Sequence, residues 1–295
     1  MATTKHIADQ AQRHPDVIRA LETRAIHRTT HELATRLTAA QRDATARWIH
    51  ATHGQPAPTP GALDKLIAWI KRLLATAFRG QGVRAKQAAA AAAHEGALLG
   101  ARLAASIAAA MTGQPTPGAR PQPAGSPGII GVDAQAAVDS IPAVVEEEHQ
   151  HAAALLTAAT ATAIGGSLVA SVFNRARRAV TRVARAVSVG VASAAAAGAA
   201  AVARALGPRT RLLWVAEPGA CPACAAYAGH SILPGELFPG GLSLNARQTV
   251  FRTAIPGPPR HPHCRCALIP WRPEWHTGGT PLPDLLRARA RTGGA

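Results

Sequence analysis

The four cysteines of this 295-residue chain lie in two short segments, and their pairing is the feature that most constrains the fold. The segment CPACAAYAGH contains Cys221 and Cys224, and the segment HPHCRCALIP contains Cys264 and Cys266. A loop of about 40 residues is too small to be stable through burial alone, and links between its ends lower the entropy of the unfolded chain. We therefore expect a small C-terminal module that the cysteines hold together.

Two reactive chemistries use a C-x-x-C pair, and neither fits this sequence. Thiol–disulfide exchange places the pair at the start of a helix in a βαβ framework, but glycines and prolines follow Cys224 within about two helical turns and no βαβ pattern occurs. A zinc deaminase requires an H-x-E segment before its P-C-x-x-C, and the chain has no H-x-E. The cysteines are therefore expected to be scaffolding and not a reactive centre.

Two structural chemistries stay open for the cysteines. A structural zinc ion takes four tetrahedral nitrogen or sulfur ligands, and a C-x-x-C segment supplies two of them. Cys264 and Cys266 would supply the others, with His261 or His263 as alternates for one thiolate. In the second solution the same four cysteines form two disulfides and no metal binds.

Most of the remaining chain has helical patterning. Apolar or small residues recur every three or four positions over 18–48 and 63–78, and an alanine-rich segment fills 83–111. The fold class predicted is mainly α, with long helices and a small α+β C-terminal module clamped by the four cysteines. The predicted regions are an N-terminal helical region 1–111, a Pro/Gly-rich linker 112–128, a second helical region 129–206, a cysteine module 207–275, and a basic, mobile tail 276–295.

The region before the cysteine module predicts one long helix over about 167–206. Four arginines recur on one side of it at helical spacing, and valines and alanines occupy another side. The formal net charge of +16 favours attraction to polyanions. This side of the helix is either a solvated basic face or a contact face for nucleic acid or an acidic partner. Its arginines are Arg175, Arg178, Arg182 and Arg185.

The same predicted helix contains an uncharged stretch, residues 186–203, that is long enough to raise the question of a membrane. It consists mostly of alanine, glycine and serine, which insert poorly into lipid, so we expect a helix–helix contact through small residues. The polar N-terminal segment has no apolar core of the secretory type, which predicts intracellular synthesis without a membrane partner.

The remaining candidate sites predict no catalysis. The segment EEEHQH, residues 146–151, places Glu147 and His151 on one helical face, which gives two ligands at most, and we interpret it as a solvated acidic face. The chain has neither G-x-S-x-G nor HExxH. We therefore expect that the protein is not an enzyme.

Over residues 210–272, a strand with Trp214 is followed by Cys221 and Cys224 and then by HPHCRC, and this order resembles the phage Mu F-like family of minor head (head morphogenesis) proteins. An aromatic-bearing strand, C-x-x-C, a Pro/Gly-rich excursion and HPHCRC follow one another. The residues at the motif positions are Trp214, Cys221, Cys224, Gly229, His261, Pro262, Cys264, Arg265 and Cys266.

The resemblance implies a minor capsid protein associated with the portal, present in several copies per virion, that acts in procapsid assembly and in DNA packaging or ejection. Its partners would be the portal protein, other head proteins and packaged DNA, contacted through non-specific charge. It would be located in the host cytoplasm during assembly and then in the interior of the virion head. The alternative, which charge and the cysteines support without the resemblance, is an intracellular zinc-module protein that binds nucleic acid.

Overall fold

The computed structural model describes residues 3–52, 60–114, 130–275 and 278–292. The fold is mainly α, with long helices and a small three-stranded sheet, as the sequence predicts. The helices are α1 Thr4–Gln12, α2 His14–Thr52, α3 Pro60–Phe78, α4 Gln81–Thr112, α5 Val132–Asp139, α6 Ile141–Ala154, α7 Ala158–Ile164, α8 Ser167–Ala176, α9 Arg178–Ala205, α10 Pro222–Ala225 and α11 Leu282–Thr292. The strands are β1 Arg211–Val215, β2 Ser231–Ile232 and β3 Ala267–Trp271.

The chain forms two compact units, and their division differs from the predicted regions. Unit 1 comprises Met1–Arg24, Ala90–Ala137 and Val187–Ala295, and unit 2 comprises Ala25–Ala89 and Val138–Ala186. The predicted N-terminal and second helical regions are each divided, because α2, α4 and α9 contain residues of both units. The predicted linker lies outside the described residues from position 115 onward.

The predicted helical periodicity is confirmed by burial. Every apolar position expected to face a core in 18–48 and 63–78 is buried, including Leu37, Ile70 and Leu74, which have no exposed surface. Within unit 2, α3 packs against α6 and α7, and α8 packs against α6 and α7. The predicted long helix over 167–206 is observed as the consecutive helices α8 and α9, which are separated only by Arg177, a residue that itself has helical backbone.

Small residues form the contact between α4 and α9 inside unit 1, as predicted for 186–203. A Cβ at Gly100 or at Gly198 would lie 2.0 Å from the carbonyl oxygen of Ala195 or Ala97, respectively. Only glycine permits two helix backbones to approach this closely. The segment Ser167–Ala205 is the one helical segment among the described residues that is long and apolar enough to cross a membrane, and 67% of its apolar window is buried within the protein.

The three-stranded sheet explains why the two cysteine segments meet. Its order is β2-β1-β3, and both pairings are antiparallel. Val215, at the end of β1, pairs with Ala267, at the start of β3. The chain leaving β1 toward Cys221 and the chain entering β3 from Cys266 therefore lie at the same end of the sheet.

An aromatic core supports this end of the sheet. Trp214, on β1, is fully buried, and its ring centroid lies 5.0 Å from that of Tyr227 and 5.1 Å from that of Phe238. The Tyr227 hydroxyl donates to the Pro239 carbonyl at 2.5 Å, which fixes the excursion between the cysteine segments. The predicted concentration of aromatics in the module therefore corresponds to a dense local core.

Most of the predicted tail is helical, so our expectation of mobility was wrong for 282–292, while 276–277 and 293–295 lie outside the described residues. Residues Leu282–Thr292 form α11, which packs on α1 and buries Leu282 and Leu286. Arg289 pairs with Asp9 at 2.7 Å. The two buried leucines are four residues apart and lie on one helical face, which gives a short basic helix enough apolar surface to dock.

Candidate metal centre

The first cysteine segment forms a tight knuckle. Cys221 immediately precedes α10 with extended backbone (ψ 156°), and its carbonyl accepts the Ala225 N–H at 2.9 Å. Pro222 occupies the first helical position, where a backbone N–H would have no acceptor within the helix, so its lack of an N–H costs no hydrogen bond. The short turn directs Cys221 and Cys224 toward one point, with Cys221 half-buried and Cys224 buried.

The second segment reaches the same point through a β-turn. The Cys264 N–H donates to the His261 carbonyl at 3.1 Å, Pro262 occupies the second turn position, and His263 has φ +65°. Proline followed by a positive φ is the pattern of a type II turn. The turn places His261 and Cys264 side by side, and β3 begins directly after Cys266.

The four cysteines and His261 converge. The His261 Nε2 atom lies 3.5 Å from Cys221 Sγ and 3.4 Å from Cys224 Sγ, and the Sγ atoms of Cys224 and Cys264 are 3.6 Å apart. Two groups with mutual distances within 4.8 Å result, and Cys224 belongs to both. They are Cys221, Cys224 and His261, and Cys224, Cys264 and Cys266. Either group could hold a metal ion.

The two histidines named as alternates have different environments. His261 directs Nε2 to the sulfurs, and its Nδ1 lies 2.8 Å from the Pro262 carbonyl, which can accept only from a protonated Nδ1. Nε2 then carries a free lone pair, the arrangement of a metal-ligating imidazole. His263 instead places its Nδ1 2.8 Å from Glu22 Oε1. The structure therefore brings His261, and not His263, to the cysteines.

The thiol chemistry of the cluster suits a cation. The four cysteines are free, and the 3.6 Å between Cys224 and Cys264 sulfurs far exceeds the roughly 2.05 Å of a disulfide. Hydrogen bonds with Cys264 and Cys266, then burial, raise the pKa of Cys224, whereas hydrogen bonds from Cys224 and Cys266 lower the pKa of Cys264 well below its ordinary value. The cluster thus favours a thiolate at Cys264, and thiolates are the metal-binding form.

Neighbouring side chains hold the His261 ring. Phe251 stacks on it with ring centroids 5.6 Å apart. The Arg260 guanidinium lies over both Tyr227 (5.0 Å) and Phe251 (5.5 Å) and donates to the carbonyls of Phe251 and Thr253 at 2.6 and 2.5 Å. These contacts of Arg260 therefore fix the end of the segment that connects the two cysteine pairs, directly before His261.

Sequence reasoning missed Glu22, which lies behind the second cysteine segment. Its side chain is 3% exposed and accepts from Arg265 Nε at 2.7 Å, in addition to its contact with His263. One signal was available: Glu22 lies within the apolar stripe that includes Ile18 and Leu21, and an acid in a core stripe requires a buried partner. The identity of that partner, more than 200 positions away, has no local signal.

The arginine face is divided by its partners. Arg175 and Arg182 form ion pairs with Glu148 at 3.2 and 2.8 Å. Arg178 and Arg185 are exposed, and neither forms an ion pair with any described residue. Two of the four predicted contact residues are therefore committed inside unit 2, and the other two face solvent.

The acidic segment of α6 differs from our prediction in two respects: one of its carboxylates is buried, and Glu147, Glu148 and His151 form a group of three possible metal ligands where we expected two at most. The Glu148 side chain is 3% exposed, whereas Glu147 is 47% exposed. Glu147 and Glu148 both pair with Arg182, and their interaction raises its pKa, with Glu148 contributing most. The sequence does not show which of the three consecutive carboxylates is buried, because only Glu148 points into the core.

Comparison of the chain with family models, with curated proteins and with solved structures gives no match.

Proposed function

We propose that the chain is a minor head protein of the phage Mu F-like type, and that its C-terminal module is closed by one structural zinc ion. The observation that carries the proposal is the convergence of C-x-x-C with HPHCRC at one end of a sheet. The other residues at the family positions each have a role in that module. Trp214 forms its core, Pro262 forms the turn and Arg265 anchors it, while Gly229 has φ +74° against the Pro283 carbonyl of α11.

The separations of the donor atoms support zinc. With Zn–S near 2.3 Å and Zn–N near 2.0 Å, a tetrahedral site has S–S edges of about 3.8 Å and S–N edges of about 3.5 Å. The cluster has 3.6 Å between Cys224 and Cys264 sulfurs, and 3.4 and 3.5 Å from His261 Nε2 to two sulfurs. Cys221, Cys224, Cys264 and Cys266 are the proposed ligands, with His261 able to replace one of them.

Zinc in this position would be structural and not catalytic. A catalytic zinc keeps an open position for water or substrate, whereas a structural zinc is closed by protein ligands. Cys224, Cys264 and Cys266 are 1%, 1% and 2% exposed, and the two donor groups that share Cys224 consist of protein side chains alone. The metal would hold together a module whose sheet has only three short strands.

Charge supports a second element of the proposal, contact with packaged DNA without sequence preference. The net charge is +16, and exposed Arg178 and Arg185 can approach phosphates without breaking an internal ion pair. The protein would be made in the host cytoplasm, join the portal and other head proteins in several copies, and remain in the head interior.

Mass spectrometry of purified virions and procapsids tests the function, with zinc measured on the same recombinant protein. We expect a few copies per particle and one zinc per chain. Absence from particles at every assembly stage would exclude the head-protein role.

The alternative is an intracellular zinc-module protein whose function is nucleic-acid binding. The exposed arginines favour it equally. Tight binding to duplex DNA at about 0.2 M salt with a sequence preference would support the alternative, because non-specific phosphate contacts weaken steeply with salt.

A further inference from the structure

Glu22, near the start of α2, contacts both residues that flank Cys264. Its Oε1 lies 2.8 Å from His263 Nδ1, and its Oε2 accepts from Arg265 Nε at 2.7 Å. His263 is held a second time, because its N–H donates to the buried Ser188 hydroxyl at 2.7 Å. Cys264 therefore lies between two residues whose positions are fixed from outside the cysteine module.

The Glu22 end of these contacts is shielded from water, whereas His263 is 47% exposed. The side chains of Glu22 and Arg265 are 3% and 23% exposed. A buried carboxylate that loses its cationic partner pays the full cost of desolvation, so separation of α2 from the cysteine segment is strongly disfavoured. The docking of α2 and the conformation of the HPHCRC turn are for this reason parts of one arrangement.

We infer that Glu22 is a positioning residue for the metal centre, and that metal occupancy is coupled to the docking of the start of α2. The inference rests on the proposed zinc site. Fixing His263 and Arg265 holds Cys264 Sγ at the separation from Cys224 that a shared metal requires. Residues behind metal ligands act in this way, and their loss typically weakens metal affinity 10- to 100-fold.

The coupling operates in both directions. If Glu22 increases metal affinity by holding the turn, the bound metal must stabilise the docked α2 by the same factor. Removal of the metal would then destabilise the start of α2, residues 14–24, as well as the cysteine module.

The test compares zinc affinity, measured by competition with a chromogenic chelator, in the intact protein and its variants. We expect Glu22→Gln to weaken zinc binding about 10- to 100-fold. Asp16→Asn is the matched control, since Asp16 is on the same helix and its side chain is 64% exposed, and it should bind zinc as the wild type does. Arg265→Lys, which retains the charge, should recover part of the affinity that Arg265→Gln loses.

Hydrogen exchange supplies a readout that a purely structural role of Glu22 would not move. In the wild type, chelation of zinc should accelerate amide exchange in residues 14–24, and in Glu22→Gln this response should be largely lost. If Glu22→Gln fails to fold, Ser188→Ala, which removes only the bond to the His263 N–H, should give a smaller loss of affinity in the same direction.

The outcomes separate this inference from the proposed site. Wild-type protein that binds no zinc overturns both. Wild-type protein that binds zinc, with Glu22→Gln and Ser188→Ala each within twofold of its affinity and no change in the exchange response, overturns the role of Glu22 and leaves the zinc site standing.

Discussion

Gly100 faces the Ala195 carbonyl so closely that a Cβ at position 100 would lie 2.0 Å from that oxygen. Gly198 makes the reciprocal approach to Ala97, also at 2.0 Å. The backbones of α4 and α9 can therefore approach this closely within unit 1 because both helices are rich in alanine and glycine. Most of the apolar stretch of α9 is buried within the protein.

Gly100→Ala is expected to destabilise the protein by about 2 kcal/mol or more, because the new methyl group must displace the α9 backbone and not a flexible side chain. Gly61→Ala is the control, since a Cβ there meets no atom within 4 Å, and it should raise stability by up to about 1 kcal/mol through helix propensity. Denaturant titration gives both free energies of unfolding. Equal effects of the two substitutions would contradict the close contact.

Cys224→Ser should abolish zinc binding, because Cys224 is the one residue shared by both donor groups. Cys221→Ser should retain a weaker site, since the buried group of Cys224, Cys264 and Cys266 stays intact. Metal content of the purified variants and protease resistance of residues 210–272 measure the difference. A Cys224→Ser protein with wild-type zinc content and resistance would show that Cys224 does not hold the metal.

The sequence predicts that the four cysteines come together, but it does not predict the contacts from α2 that hold their second segment in place. Spacing alone identified Cys221, Cys224, Cys264 and Cys266, because two short chelating segments restrict where a chain can go. The ion pair of Arg265 with Glu22 joins positions 243 residues apart and depends on how α2 docks, which no local pattern contains.

Local patterns also fail where a single side chain decides the outcome. In the acidic segment of α6, the sequence does not distinguish Glu148 from its neighbours, yet Glu148 alone is buried there with two arginines. The C-terminal α11 was missed for a related reason. Its apolar face consists of two buried leucines, too few to give a clear period among arginines.

Glu148→Gln is expected to destabilise unit 2 by about 1–3 kcal/mol, because it removes the buried carboxylate that pairs with both Arg175 and Arg182. Glu147→Gln should cost less than about 1 kcal/mol, since that carboxylate is 47% exposed and screened by water. Hydrogen exchange of α6 and α8 amides distinguishes the two variants. Similar protection in both would mean that the buried pair does not support unit 2.

Replacing both Arg178 and Arg185 by Gln should reduce the slope of log K for DNA binding against log salt by about 1.8, as expected for two lost phosphate contacts. The double variant Arg36→Gln, Arg84→Gln loses the same charge but removes side chains already paired with Glu32, and its slope should change less. Filter binding or fluorescence anisotropy over a salt series measures the slopes. Equal reductions would indicate that net charge, and not the α9 arginines, sets the affinity.

His14 makes the stability of unit 1 dependent on pH in the acid range. Burial, with a smaller contribution from Arg13, lowers the pKa of His14 from 6.5 to about 4. Between these two pH values the unfolded chain binds a proton that the folded protein does not, so stability is lost as pH falls from 6.5 toward 4 and the loss is complete below about 4. The full difference corresponds to about 3 kcal/mol.

His14→Met should remove this dependence. Relative to the wild type at the same pH, the variant should therefore be more stable at about pH 4.5 than at about pH 7. Acid also protonates the proposed cysteine ligands, but that effect is common to both proteins and cancels in the comparison. His6→Met is the control for the chemical change itself, because it replaces a histidine whose side chain is exposed. Denaturant titrations at the two pH values decide the matter: parallel losses in His14→Met and wild type would mean that His14 is not held neutral by burial.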